Sequence, residues 1–359
     1  MPAAPRAGVT LADVAAAAQV STATVSRVLS GNYPVAARTR ARVTQAVADL
    51  GYVMNVNARA LARSRTSTIG IVVQDVAEPF FGHIARGVER RAAELGLACL
   101  IMASRGSKER ELELVDLLRS YRAGGVILVG GATDDRGYRT KLAHRARALA
   151  DEGGILVLCG RPPLGDGAPT RSVGYDNEGG AFAVTSHLLA QGHRRIAYVG
   201  GPPRLSTHTH RLAGYRRALE QHGVAWDDDL VHVGRFDAAF GRATVAGLLR
   251  HGLAATAVFA ANDEVAVGVY EAAEEAGVAI PGDLSVVGYD DVPVATHLRP
   301  RLTTVSVPLE ELGRRAAELC VADGADAVDA VVGTRLVVRD SVAAPRAATE
   351  PGALSSAES

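Results

Sequence analysis

The side chains best suited to chemistry are polar or aromatic residues placed just after apolar runs. Asp75 and then Glu78-Pro79-Phe80-Phe81 follow the run Ile69–Gln74, Arg105 follows Ala98–Ala103, and Arg161 follows Ile155–Cys159. Asp176 precedes a helical stretch beginning at Asn177, and Arg211, Phe236, Asn262, Asp263, Asp290 and Asp291 complete the set. Such residues suit a hydroxylated ligand, because carboxylates and guanidinium groups grip hydroxyl pairs and an aromatic ring stacks on a sugar or base face. Each also has a plainer reading: Asn262 or Asp263 as a helix cap, Asp290 as a turn residue, Phe80 and Phe81 as core.

Signatures of bond-making chemistry are missing from the sequence. It has no Walker A loop, no G-x-G-x-x-G after a strand and no G-x-S-x-G elbow. His83, His187, His193, His208, His210 and His251 lack the spacing of a zinc site, and Ser206–His210 reads as a polar loop. Cys99, Cys159 and Cys320 are an odd number in apolar surroundings and read as small reduced core residues. No catalytic residue, metal or cofactor is therefore expected.

The elements that must carry the polar set alternate. Strands are expected at Ile69–Gln74, Ala98–Ala103, Gly125–Val129, Ile155–Cys159, Ile196–Gly200, Ala257–Ala260 and Ser285–Tyr289. Helices fall between them at Phe80–Leu95, Lys108–Tyr121, Asn177–Gln191 and Asp263–Ala276. Unbroken apolar strands separated by helices belong to parallel sheets covered on both faces. There are too many strands for one small sheet, and polar Arg161–Arg171 interrupts the series, so two doubly wound lobes are predicted. Ligands of such lobes sit at the carboxyl ends of the strands, in the crevice.

The chain's 359 residues are too many for one compact core. Its formal charge of zero hides an asymmetry: residues 1–65 carry eight arginines against Asp13 and Asp49, a net +6, which leaves −6 for the rest. A basic head on an acidic body points to a polyanion partner for the head. Residues 10–50 read as three short helices. Thr10 to Asp13 forms a capping-box pattern, Ser21 caps Thr22–Leu29, and Ala37–Asp49 stops at Gly51. Val20, Val25 and Val28 turn inward, leaving Thr22, Ala23, Ser26 and Arg27 outside. A helix with small residues in its first turn and a long Arg behind them fits a major groove.

The stretch Thr10-Leu11-Ala12-Asp13-Val14-Ala15, then Val20-Ser21 through Leu29, Thr39-Arg40 and Gly51-Tyr52 resembles the head of the lac repressor/galactose repressor family. Phe259-Ala260-Ala261-Asn262-Asp263 and Ser285 to Asp291 resemble the family's sensor, as do Gly192 to Ala197 and Arg211 to Tyr215. The resemblance implies that Thr22 and Ala23 read bases with Arg27 as a further groove contact, while Thr10, Ser21 and Ser26 touch the backbone. It also implies that residues 55–66 (Asn55 and Ala58 included) form a hinge helix. There Leu61 wedges into the minor groove beside its partner's copy. It further implies that Arg211 and Asp290 contact an effector, with Phe236 as a stacking ring and Asn262 or Asp263 beside it. Gln19 stands where the family has Gly, at a cost of roughly 1 kcal/mol if the site is left-handed, and Ala36 replaces a Ser cap.

The expected organisation is a helix-turn-helix domain over 8–54, a linker over 55–66, and a sensor and dimerisation domain over 67–342. Its lobes are 67–168 with 305–330 and 169–304 with 331–342, and a disordered tail covers 343–359. The fold class is α/β, a three-helix head plus two periplasmic-binding-protein-like lobes. Expected partners are a palindromic double-stranded DNA operator, a small-molecule effector, with a sugar ahead of a purine, and a second copy of the chain. The tail has no heptads for assembly beyond a dimer. Met1 to Val9 lacks the apolar core of a secretion signal and no apolar run spans a bilayer, so a cytoplasmic, membrane-free protein is expected. The rival readings are a solute-binding protein or an enzyme on the same fold.

Overall fold

The computed structural model describes residues 9–30, 33–52, 68–165, 167–252, 254–322 and 329–346. The chain divides into two compact units, residues 1–67 and 68–359. In the first, α1 (Leu11–Ala17), α2 (Thr22–Ser30) and α3 (Ala37–Leu50) enclose Val14, Ala15, Ala18, Val25, Val43 and Ala46. The predicted capping box opens α1: Asp13 N–H reaches Thr10 Oγ1 at 3.3 Å and the Thr10 N–H donates to Asp13 Oδ2 at 2.8 Å. Those bonds from Thr10 hold the Asp13 carboxyl below its usual range. Gln19 is left-handed (φ +50°), and Arg42 of α3 braces that turn by donating to the Gln19 carbonyl at 3.1 Å. Gly51, also left-handed, caps α3, whereas Ala36 offers no side-chain cap at its start.

The second unit begins with an alternating series: β1 (Thr68–Val73), α4 (Pro79–Glu94), β2 (Ala98–Ala103), α5 (Lys108–Ser120), β3 (Gly125–Val129), α6 (Arg136–Asp151), β4 (Ile155–Cys159) and β5 (Thr170–Tyr175). Next come α7 (Asn177–Ala190), β6 (Ile196–Val199), α8 (Ser206–Gln221), β7 (Val231–His232), α9 (Ala238–Arg250), β8 (Ala257–Ala260), α10 (Asp263–Glu275), β9 (Ser285–Val287) and α11 (Val294–His297). The chain returns through β10 (Thr304–Ser306), α12 (Leu309–Val321), β11 (Ala330–Val332) and β12 (Arg335–Val337). One parallel sheet runs β11-β5-β4-β3-β1-β2 and another β7-β6-β8-β9, while β10 and β12 pair antiparallel. Each parallel sheet reverses its strand order once, at β1/β3 and at β6/β8. Two doubly wound lobes therefore stand as predicted.

Their borders fall elsewhere than expected. β5 continues the first sheet, pairing Leu156 with Thr170 through Cys159 with Val173, so the chain leaves that lobe after Tyr175 and not at 168/169. β11 pairs with β5, which leaves Ala330 in the first lobe and puts Val331 and Val332 in the first sheet, not the second lobe. Polar β5 escaped notice because its charged member is satisfied from outside the ladder: the Arg171 guanidinium donates to the carbonyls of Leu319 and, at 3.0 Å, Ala322. The supposed loop Ser206–His210 is the first turn of α8, where Thr209 Oγ1 returns a bond to the Leu205 carbonyl. Ala343, expected to open the tail, packs on the second lobe: its carbonyl meets His193 Nε2 at 2.9 Å and accepts from Ser285 Oγ at 3.1 Å.

Close helix contact seals the first lobe. A Cβ on Gly87 of α4 would lie 2.0 Å from the Glu310 carbonyl of α12, and one on Gly313 of α12 would lie 2.1 Å from the Ile84 carbonyl, so only glycine lets these backbones meet. The few aromatics concentrate in the second lobe's core, where Tyr198 and Phe259 pack edge to face at 5.3 Å. Among the described residues no helix is long and apolar enough to cross a membrane.

Candidate ligand cleft and nucleic-acid interface

The carboxyl ends of β1, β3, β6 and β8 converge on a cleft of about 260 Å³. Gln74, Glu78, Phe80, Phe81, Gly130 and Tyr175 line it from the first lobe; Thr207, Arg211, Arg235, Phe236, Asn262 and Asp290 line it from the second. Both sheets thus present their switch points to one space, the place where the topology leaves a crevice.

Arg211 of α8 organises the cleft. It is 1% exposed and donates to Asn177 Oδ1 (2.9 Å), the Ala261 carbonyl (2.5 Å), the Tyr175 hydroxyl (3.2 Å) and Asp290 Oδ1 (2.7 Å). Its guanidinium also lies over the Tyr289 ring at 3.7 Å and the Phe236 ring at 5.8 Å. Asp290 holds a left-handed backbone (φ +104°), a conformation that short polar side chains tolerate best among non-glycine residues. Burial pushes its carboxyl up to about 6 against the pull of Arg211. Asn262 caps α10 by accepting from Val265 N–H at 2.9 Å and still faces the cleft.

Glu78 supplies the remaining charge. Burial, then the fields of Asp290, Glu264 and Asp75, push its carboxyl up to about 7. A carboxyl raised in the folded state keeps its proton past the point where the unfolded chain, near 4.5, has released it. Folding stability is therefore lost as pH rises from about 4.5 towards 7. Glu78→Gln is expected to be more stable than the parent at pH 8 by roughly 1–2 kcal/mol, a figure discounted for water reaching a half-buried group, and equal to it near pH 4. Urea unfolding at both pH values checks this. An equal effect at both would show that Glu78 acts through packing.

The predicted ligand set splits. Phe80, Phe81, Arg211, Phe236, Asn262 and Asp290 share the cleft lining. The other five lie outside it. Asp75 sits in an exposed turn, accepting from Ala77 N–H at 2.9 Å. Arg105 is exposed with a left-handed backbone. Arg161 is buried in a bidentate pair with Glu111 (2.8 and 2.7 Å), and it also donates to the Val129 and Gly130 carbonyls, which props the loop after β3. Asp176 caps α7 through Gly179 N–H at 2.7 Å. Asp263 is fully buried, taking Val292 N–H at 2.9 Å and the Thr304 hydroxyl at 2.6 Å, and burial raises its carboxyl well above the usual range. Sequence reasoning left Gln74, Tyr175, Thr207, Arg235 and Asp237 out of the cleft, whereas Glu78, which it noted after the first strand, does line it. Tyr175 and Thr207 lie on β5 and α8, two of the elements it did not foresee.

In the head, Ser21 Oγ accepts Thr24 N–H at 3.1 Å, starting α2 as expected. Thr22, Ala23, Ser26 and Arg27 of α2 are exposed, while Val25 between them is fully buried. Arg27 lies 5.8 Å from the Tyr33 ring centroid. The Thr10 hydroxyl is taken up by the capping box, donating to Asp13 Oδ2 at 2.7 Å. Asn55, Ala58 and Leu61 of the expected hinge lie outside the described residues.

A helix-turn-helix unit joined to a two-lobed clamshell with ligand groups at both switch points defines a ligand-controlled DNA-binding regulator. Residues 10–55 match the family described as bacterial regulatory proteins, lacI family, and residues 185–342 match a periplasmic binding protein-like domain. The chain is 36% identical to the HTH-type transcriptional regulator GalR of Escherichia coli, over 87% of this chain and 88% of that one. It is 37% identical to the regulator CelR of Thermobifida fusca, over 92% and 98%. Among solved structures, the lac repressor dimer bound to operator and the anti-inducer ONPF superposes with a TM-score of 0.81 at 28% identity, covering 94% of this chain and all of that one. A CelR–cellobiose complex gives 0.67 at 35%, covering 93% and 99%. The chain belongs to the lacI family of bacterial regulatory proteins. It is a regulator of transcription, not an enzyme.

Proposed function

We propose that this protein is a cytoplasmic dimeric repressor whose grip on a palindromic operator is set by an uncharged monosaccharide held between its lobes. Similarity to GalR, CelR and the lac repressor supports the sugar, operator and dimer parts of this reading. The observation that carries the ligand's class is the charge balance of the cleft. Among the described residues its two cations each hold a carboxylate, Arg211 with Asp290 at 2.7 Å and Arg235 with Asp237 at 2.5 Å, whereas Glu78 faces the space without a cation partner. A phosphate or carboxylate would meet no spare positive charge, and it would hinder Glu78 from ionising above about pH 7. Hydroxyl pairs can instead bridge Asp290, Asn262 and Glu78, with Phe80 and Phe236 for the apolar ring face. The volume, about 260 Å³, is just under the roughly 300–1,000 Å³ of pockets for drug-sized ligands, which fits one ring.

Thr22 and Ala23 read bases, Arg27 reaches further into the groove, and Thr10, Ser21 and Ser26 hold the phosphates; Asn55, Ala58 and Leu61 belong to the hinge contact. Closure of the lobes on sugar changes the spacing of the two hinges in the dimer and thereby operator affinity, a coupling that is reciprocal. Calorimetric titration of the full chain with D-galactose, D-glucose and their 6-phosphates tests the ligand class. Binding of at least one free sugar and of neither phosphate is expected, with operator affinity changed by that sugar. Binding of the phosphates in preference would overturn it.

A further inference from the structure

The two lobes touch at a strut away from the chain crossings. Ser206 N–H donates to the Ala132 carbonyl at 2.8 Å, Ala132 N–H donates to Ser206 Oγ at 2.9 Å, and Thr133 pairs with Leu205 as an isolated antiparallel bridge. This ties the loop after β3 to the first turn of α8. The sugar cleft lies on one side of it, lined by Gly130, Gly131, Leu205, Thr207 and Arg211. On the other side is a second cavity of about 330 Å³ that shares no lining residue with the first.

The second cavity has a different chemistry. Its floor is apolar: Tyr138 and Leu142 of α6, Leu158 of β4 and the run Pro162-Pro163-Leu164. Its rim is cationic. Arg139 is held over the lip by donating to the Leu164 carbonyl at 2.6 Å, which fixes the guanidinium without neutralising it. Arg204 and His210 come from the opposite lobe. The one carboxylate among the lining residues, Asp134, pairs with Arg204 at 3.3 Å, and Arg161 beneath is already matched by Glu111. The surplus charge on the rim is positive, and both Arg204 and Asp134 are well exposed, so their pair is weak and easily exchanged.

We propose that this cavity is a second small-molecule site, taking an organic anion with an apolar aromatic body and one carboxylate, sulfonate or phosphate group. The body covers the Leu158–Pro162 floor, and the anionic group meets Arg139 and Arg204 across the lobes. Because the strut is shared and His210 adjoins Arg211 on α8, an occupant here constrains the same lobe spacing that the sugar sets from the other face. The site stands on its own residues and does not need the sugar reading.

Fluorescence titration of the full chain with 8-anilinonaphthalene-1-sulfonate tests it. One saturable site per chain is expected. Thr209→Trp, an exposed position on the lining, is expected to abolish binding by filling the space. The double variant Arg139→Glu/Arg204→Glu is expected to weaken it about tenfold or more. Phe236→Ala in the sugar cleft is expected to leave it unchanged. Unaltered melting temperatures in the dye's absence establish that the rim variants fold. Non-saturable binding, or a site lost in Phe236→Ala and kept in Thr209→Trp, would overturn the proposal. Sugar titration of the same variants reads the first cleft separately.

Discussion

Arg211→Met is expected to remove the sugar response while the head still binds operator. The guanidinium is the common partner of Asn177, Tyr175, Ala261 and Asp290, so its loss leaves the ligand-facing carboxylate without the group that orients it. Truncating a buried, hydrogen-bonded charge costs roughly 2–5 kcal/mol in binding, which is about thirtyfold or more in sugar affinity. The same change strands the Asp290 carboxylate in the interior, at a cost of about 3–5 kcal/mol of folding stability. Against a typical 5–15 kcal/mol for a domain, that is large. The double variant Arg211→Met/Asp290→Asn separates the effects. Asn tolerates the left-handed backbone at 290 and carries no charge to strand, so stability should largely return while sugar affinity stays low. Calorimetric titration and thermal melts of both variants decide the matter. Sugar affinity at the parent level in Arg211→Met would remove Arg211 from the ligand's reach.

What could be read from the chain, and what could not, follows from how each signal is encoded. Strands β1, β3, β4, β6 and β8 are buried on both faces and so appear as continuous apolar runs, and β2, though half-exposed at the sheet edge, is as apolar in sequence. β5 escaped because Thr-Arg-Ser-Val-Gly-Tyr is only half apolar and its arginine finds partners in α12's last turn and the residue after it, a tertiary fact with no local trace. The rule that residues following strands face the crevice selects position and not direction. It found Asp290, but it also found Arg161, which turns down to Glu111 fifty residues away in sequence. Asn262 and Asp263 are neighbours of the same chemistry. The first ends at the cleft and the second points at Val292 and Thr304, a distinction set by one step of backbone at the start of α10. Glu78 was legible in the sequence as a carboxyl group shortly after the first strand, just before Pro79 at a helix start. What gives it importance is the proximity of Asp290 and Glu264 from the other lobe, and no spacing reveals that.

Leu61→Ala is expected to lower affinity for the operator by about a hundredfold or more while leaving sugar binding as it was. The reading of Leu61 rests on its place in Ala58-Arg59-Ala60-Leu61-Ala62, which resembles the family's hinge. Unstacking a base step costs a few kcal/mol and is recovered only because the kinked duplex lays more of its backbone against the protein. Remove both wedges of a dimer and that contact is lost, whereas the base readers we propose, Thr22, Ala23 and Arg27, are unchanged by the substitution. The phosphate contacts of the basic head remain too, so the steep fall of affinity with salt should persist in the variant. One further readout separates a wedge from a residue that merely packs. The parent should prefer operators with a flexible pyrimidine–purine step at the centre over those with a stiff A-tract there, because only the former kink at low cost. Leu61→Ala should be nearly indifferent to that exchange. Polarisation titrations with the two duplexes, at two salt concentrations and with parent and variant side by side, measure all of this. A variant that kept the parent's preference for the flexible centre would place the source of the kink in another residue.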